Sequence, residues 1–156
     1  MFDRLLTALV EAEIRFVVVG GLALGAWGVV RGTRDVDVVV DQEERNLAAL
    51  ASLAEALDGK VQRREAFVSS ASAMRGLLAS GKRVQIETRL GALDVVQGLP
   101  GIPEFGELAA RSVQVELFGS LVPVCSENDL REMKATAGRA RDLADLEDLD
   151  AARGHG

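Results

Sequence analysis

Fifteen residues without a charge, Phe16 to Val30, lie between Arg15 and Arg31, and a double glycine splits them. That interruption constrains the fold more than any other feature of the chain. Phe16-Val17-Val18-Val19 is a mostly β-branched run of the kind that builds a buried strand. Gly20-Gly21 ends it, and Leu22 to Val29 is predicted to restart as a helix. A membrane span needs roughly twenty apolar residues, so a fifteen-residue stretch holding four glycines is not one. Arg34 to Val40 then alternates, with Asp35 and Asp37 on one face and Val36, Val38 and Val40 on the other. A strand, a glycine corner, a helix and a half-buried strand follow one another within 25 residues.

The rest of the chain continues the mixture. Phe2 to Glu13 carries Leu5, Leu6, Ala8, Leu9 and Ala12 at helical spacing. Gln42 to Leu57 is a predicted helix closed by Asp58-Gly59. Residues 60 to 80 are ambiguous, with a turn at Ser69 to Ser72 and a helical stretch at Ala73 to Leu78. Arg83 to Thr88 and Ala92 to Gln97 read as a hairpin turning near Leu90-Gly91. Glu104 to Ala110 suggests a short helix, and Val113 to Leu117 with Leu121 to Val124 a second strand pair around Gly119. Ser126 is an N-cap for a helix running through Lys134 to Gly138, and a last helix spans Arg139 to Ala152. The fold class expected is α/β (α+β), a mixed β-sheet flanked by helices. One domain is expected over 1–156, with a core at about 15–125 and C-terminal helices at about 126–152.

Composition narrows the partners. Of 156 residues, 18 are basic and 24 acidic, for a formal charge of −6. Such a chain has no global attraction to nucleic acid or to an anionic membrane, so a polyphosphate ligand needs a local basic cluster or a metal ion. The single cysteine, Cys125, excludes an intramolecular disulfide and a cysteine-based metal site, and fits a reducing cytoplasm. The N-terminus lacks the basic-then-apolar order of a signal peptide. A cytoplasmic protein without a membrane partner is expected.

Asp35 and Asp37, two apart on a strand, present adjacent carboxylates from one rigid edge. Carboxylates that close repel unless a cation sits between them, and Mg²⁺ commonly bridges such a pair to substrate phosphates. The double glycine upstream lets backbone amides approach an anion. Phosphate cradle and metal pair at neighbouring strand ends suit phosphoryl or nucleotidyl transfer. Asp94, among apolar neighbours in Ala92-Leu93-Asp94-Val95-Val96, is either a strand-end solubilising charge or a third site carboxylate; Glu87 is a poorer rival for the site role. Only three of the 18 basic residues are lysines. Lys134 lies beside the apolar face of its helix, where it either meets a triphosphate or forms a structural ion pair. Asp142 shares the apolar stripe of Leu146 and Leu149 and needs a partner, Lys134 or Arg139. Asp142 and Asp145 read equally well as salt-bridge residues between helices.

Other chemistries are excluded. No G-x-G-x-x-G follows Val19, and Gly81-Lys82-Arg83 lacks the rest of a P-loop. His155 is the only histidine, which rules out His-based triads and zinc sites. Trp27 and the five phenylalanines read as core rather than as base-stacking residues.

Gly20-Gly21, the following Arg31-Gly32-Thr33-Arg34-Asp35-Val36-Asp37, Asp94, and the tail Lys134, Arg139, Asp142 and Asp145 resemble the DNA polymerase β-like nucleotidyltransferase superfamily. They are most similar to its small bacterial AbiEii-type toxin-related branch. The resemblance implies a minimal nucleotidyltransferase fold, with Mg²⁺ (two ions possible) at Asp35 and Asp37 and Asp94 as third ligand or base. It implies NTP contacts from Gly20, Gly21, Arg31, Thr33, Lys134 and Asp142. The activity implied is transfer of an NMP from an NTP to an acceptor hydroxyl on an RNA 3′ end, a protein or a small molecule. A place in a toxin–antitoxin pair, with a cognate antitoxin or toxin as partner, goes with that branch. The alternative is a catalytically silent antitoxin or nucleotide-binding regulatory module. Gly-Gly replaces the superfamily's commoner Gly-Ser, and the chain is shorter than full toxins of the branch.

Overall fold

A computed structural model describes residues 2–154. Helix α1 (Asp3–Glu11) buries Leu5, Leu6 and Leu9, the stripe that the spacing predicts. Strand β1 (Phe16–Val19) is buried on both faces, and α2 (Gly20–Ala26) follows it without a linker. The helix was expected to start at Leu22 and run to Val29. Instead both glycines belong to its first turn, because Gly20 adopts a left-handed φ of 64° that bends strand directly into helix. It ends at Ala26, before Gly28 with φ 102°.

Strand β2 (Asp35–Val40) is next, then α3 (Glu44–Ala56). The ambiguous segment forms a small hairpin, β3 (Val61–Arg63) with β4 (Ala66–Val68), and a helix α4 (Ala71–Ala79). Ser70 caps α4, its side chain accepting from the Ala73 N–H at 3.2 Å, so the predicted turn is in part the helix start. Strands β5 (Val84–Thr88) and β6 (Gly91–Val95) form the expected hairpin, with β6 two residues shorter than predicted at its end. Helix α5 (Phe105–Arg111), strands β7 (Val113–Leu117) and β8 (Ser120–Val124), then α6 (Glu127–Ala137) and α7 (Ala140–Gly154) complete the chain. His155 lies outside the described residues.

Six strands form one mixed sheet in the order β5-β6-β2-β1-β8-β7, and β3 and β4 form a separate pair. β1 runs antiparallel to β2 and parallel to β8, while β2 runs parallel to β6. Helices cover the sheet and bury the valines of β1 and β2 with leucines of α1, α2 and α3. A fully buried Leu or Val contributes roughly 1.5–3 kcal/mol relative to exposure, so this layer dominates the stability. Asn46, buried on α3, ties the start of β1 to the end of β2: it accepts from the Arg15 N–H at 2.8 Å and donates to the Arg15 and Asp41 carbonyls. Trp27 is packed against the core, its Nε1–H donating to the Cys125 carbonyl at 2.9 Å. Cys125 is fully buried, and burial first, then Asp129, pushes its thiol up to about 12. Among the described residues no helix is long and apolar enough to cross a membrane.

Candidate active site

Strand register assembles three carboxylates. β2 and β6 pair in parallel with Asp37 opposite Asp94 and Asp35 opposite Ala92, so Asp94 rises on the same face as both β2 aspartates. One oxygen from each of Asp35, Asp37 and Asp94 lies within 4.8 Å of the other two. Asp94 is 3% exposed, so it is not a solvated edge charge, and it joins the two β2 aspartates. Glu87 sits further out on β5, opposite Ala92, and does not join the triad.

The glycine corner abuts this cluster. β1 brings Val19 opposite Asp37, which places Gly20 against the Asp37 side chain. A Cβ on Gly20 would lie 2.0 Å from Asp37 Oδ2, and one on Gly21 would lie 2.8 Å from Thr33 Oγ1. Both glycines therefore leave space that site side chains fill. Thr33 donates from Oγ1 to the Asp35 carbonyl at 3.1 Å, closing the turn into β2. Burial first, then the charges of Asp94 and Asp35, push the Asp37 carboxyl up to about 7; the Gly21 N–H and Arg83 pull the other way.

Three negative groups converging at hard oxygen donors, one of them reluctant to ionise, fit a divalent cation such as Mg²⁺. Asp35, Asp37 and Asp94 are the residues that would hold it. Arg83, absent from the sequence-based site, is the charge that faces Asp94. Its Nε donates to Oδ1 at 2.9 Å and Oδ2 at 3.1 Å. The signal for it was the hairpin: with Gln85 opposite Asp94, Arg83 is the diagonal neighbour across the strands.

A second cluster joins the C-terminal helices to the loop before β2. Lys134 Nζ is 2.9 Å from Asp145 Oδ2 and 3.4 Å from Asp142 Oδ1, and Arg31 Nη2 is 2.8 Å from Asp145 Oδ1. Arg139 donates from Nε to Asp142 Oδ2 at 2.7 Å. Asp142 thus has both partners that its place on the apolar stripe requires. Burial pushes the Asp142 carboxyl up, but Arg139 and Lys134 outweigh it and hold the group below the usual range. Asp145 is 1% exposed and is held by charge alone, since neither oxygen has an aligned hydrogen-bond donor. Lys134 and Arg31 meet carboxylates in this structure, and the cluster ties α6 and α7 to the Arg31–Asp37 segment.

Two clefts lie on this side of the molecule, and only the first is lined by residues of the triad. One, of about 310 Å³, contains Asp35 and Asp94 and extends over Gln85 and Glu87 to Lys60, Gln62 and Phe67 of the small hairpin. Phe67 is 61% exposed, with the Lys60 ammonium 5.8 Å from its ring centroid. The other, of about 530 Å³, contains Gly21, Arg31 and Thr33 and is walled by Leu22, Val30, Leu117 and Phe118.

The fold is similar to that of solved nucleotidyltransferases. The lincosamide antibiotic adenylyltransferase LnuA, solved with lincomycin bound, matches with a TM-score of 0.63 at 14% identity, over 96% of this chain and 94% of that one. The antibiotic-resistance factor ANT(2'')-Ia matches with a TM-score of 0.57 at 16% identity, over 96% and 80%. An antigenic nucleotidyltransferase-like protein from Paracoccidioides brasiliensis matches with a TM-score of 0.61 at 17% identity, over 96% and 72%. No protein-family model and no curated protein matches the sequence.

Proposed function

We propose that the protein is a Mg²⁺-dependent nucleotidyltransferase that moves an NMP from an NTP to a hydroxyl of a small-molecule acceptor. The observation that carries this reading is the convergence of Asp35, Asp37 and Asp94 within 4.8 Å against a corner that only glycine fits. A bound divalent cation supplies positive charge to the phosphates and acidifies the attacking hydroxyl. The chain's own residues do the positioning. Gly20 and Gly21 seat Asp37 and Thr33 against the corner, and Arg31, Thr33, Lys134 and Asp142 shape the side on which the nucleotide enters. The acceptor oxygen forms a bond to the α-phosphorus as the bond to the α–β bridging oxygen breaks. Pyrophosphate leaves with that electron pair, and a carboxylate oxygen of Asp94 takes the acceptor's proton.

In-line displacement needs the acceptor and the leaving group on opposite sides of the α-phosphate. We assign the cleft bearing Asp94 and Phe67 to the acceptor and the side bearing Gly21 and Arg31 to the nucleotide. The acceptor cleft carries Asp35, Glu87 and Asp94 against Lys60, a poor setting for a polyanionic RNA end. Solved neighbours include LnuA with lincomycin and ANT(2'')-Ia with adenylyl-2''-tobramycin, which supports an acceptor of small-molecule size. The Gly20-Gly21 pair supports a place near the AbiEii-type branch, and with it a toxin–antitoxin role that growth arrest on expression tests.

The deciding experiment incubates α-phosphate-labelled NTPs with Mg²⁺, the protein and a crude cell extract, beside an Asp35→Ala/Asp37→Ala double variant. Label reaching a small molecule only with the native protein supports the reading. Label on RNA or protein moves the acceptor class. Nucleotide binding without transfer makes the chain a silent binding module.

A further inference from the structure

Asp94 is nearly inaccessible, and one guanidinium takes both its oxygens. Arg83 Nε reaches Oδ1 and Oδ2, and Arg83 Nη2 donates to Oδ2 as well. The Arg83 side chain is 46% exposed where the Asp94 side chain is 4%, so the cation stands at the mouth and the anion at the floor. Among the described residues Asp35 and Asp37 have no ion-pair partner, so the site's internal counter-charge is concentrated on Asp94. A divalent cation shared by the three carboxylates needs an oxygen of Asp94, and each guanidinium bond to that oxygen opposes it.

We propose that Arg83 is a competing counter-cation: it holds Asp94 in the cation-free protein and must yield one of its oxygens before a divalent cation binds. The competition itself follows from the ion pair. Its consequence rests on the nucleotidyltransferase reading. Arg83 does not line the acceptor cleft and stands within reach of the Arg139 charge, toward the Lys134–Asp142 side assigned to the nucleotide, so the triphosphate is the anion that a released guanidinium would meet. Cation alone therefore binds weakly, cation with nucleotide binds tightly, and Arg83 is the positioning residue that links the two events. The neighbouring cation Arg139, whose charge acts on Arg83, is tied to Asp142 and does not replace it on Asp94.

The test is a titration of free Mn²⁺ by its paramagnetic resonance signal, with and without ATP, on native protein, Arg83→Gln and Arg83→Lys. Removing one partner of a buried charge pair leaves the other in need of a cation, so Mn²⁺ alone should bind Arg83→Gln at least about tenfold more tightly. The improvement that ATP gives native protein should shrink in that variant. Arg83→Gln should also melt earlier without metal and recover with Mn²⁺. Arg83→Lys keeps a charge but not the two-oxygen grip, and should fall between; it decides the matter if Arg83→Gln does not fold. Mn²⁺ affinity that is unchanged or weaker in the variants overturns the proposal, as does failure of every form to bind Mn²⁺. Tightening without any nucleotidyl transfer by native protein sustains the competition while refuting the proposed activity.

Discussion

Replacing Gly20 by alanine separates the needs of the site from those of the fold. Gly20 has φ 64°, and the left-handed backbone costs an ordinary residue roughly 1–2 kcal/mol. The added methyl would also lie 2.0 Å from Asp37 Oδ2. Unbonded carbon and oxygen settle at about 3 Å or more, so the carboxylate must retreat by about 1 Å. Asp35 and Asp94 crowd it and the Gly21 N–H holds it, which leaves no equivalent position nearby. Expected are a stability loss of about 2 kcal/mol, read as a Tm fall of roughly 4–8 °C in a domain of this size. A displacement of about 1 Å at a reacting centre costs on the order of 10²-fold in transfer rate, and Mn²⁺ binding should weaken with it. Gly76→Ala, in the middle of α4 and outside both clefts, is the control. Its Cβ meets nothing within 4 Å and its φ is not left-handed, so alanine there should stabilise by about 0.5–1 kcal/mol and leave transfer intact. Thermal melts, Mn²⁺ titration and α-phosphate label transfer on the three proteins read all of this. A Gly20→Ala protein with native Mn²⁺ affinity and transfer rate would refute the argument that the corner exists to seat Asp37.

Three further outcomes follow from the same geometry. Asp37, pushed up to about 7, holds a proton in the folded protein that the unfolded chain releases near 3.8, so its contribution to metal-free stability is full below that pH and is lost as pH rises to 7. Asp37→Asn should flatten this decline and raise metal-free stability at pH 8 by on the order of 2 kcal/mol while abolishing Mn²⁺ binding; an unchanged Tm–pH slope tells against the cause given. Lys134→Met leaves Asp145 buried with Arg31 as its remaining close cation, and chemical denaturation should show a loss of roughly 3 kcal/mol, whereas an unaltered midpoint would mean Lys134 serves only a ligand. Phe67→Ala, at an exposed position, should change stability by less than about 0.5 kcal/mol yet raise KM for the acceptor and not for NTP; equal effects on both would remove the hairpin cleft from acceptor binding.

Local patterns in the chain were enough to place the strands that carry Asp35, Asp37 and Asp94, because alternation on a half-buried strand specifies which side chains share a face. The double glycine marked the corner for the same reason: a left-handed turn and a close approach both exclude Cβ, and both are written in residue type. Helix α2 starts two residues before the point that the glycines suggest, since one left-handed residue lets the helix begin at once. Residues 60 to 80 stayed ambiguous because β3 and β4 are three residues each and too short to show a period.

What tertiary structure decided is everything that depends on which strands are neighbours. The parallel pairing of β2 with β6 sets Asp94 beside Asp37, although they are 57 positions apart in the chain. The contact of Arg83 with Asp94, the capture of Lys134 and Arg31 by Asp142 and Asp145, and the cleft beneath Phe67 are of the same kind. Residue spacing fixes the direction of a side chain relative to its own element. Its charge partners are set by the packing of distant elements, and with them whether a cation is free for a ligand or already held by the fold.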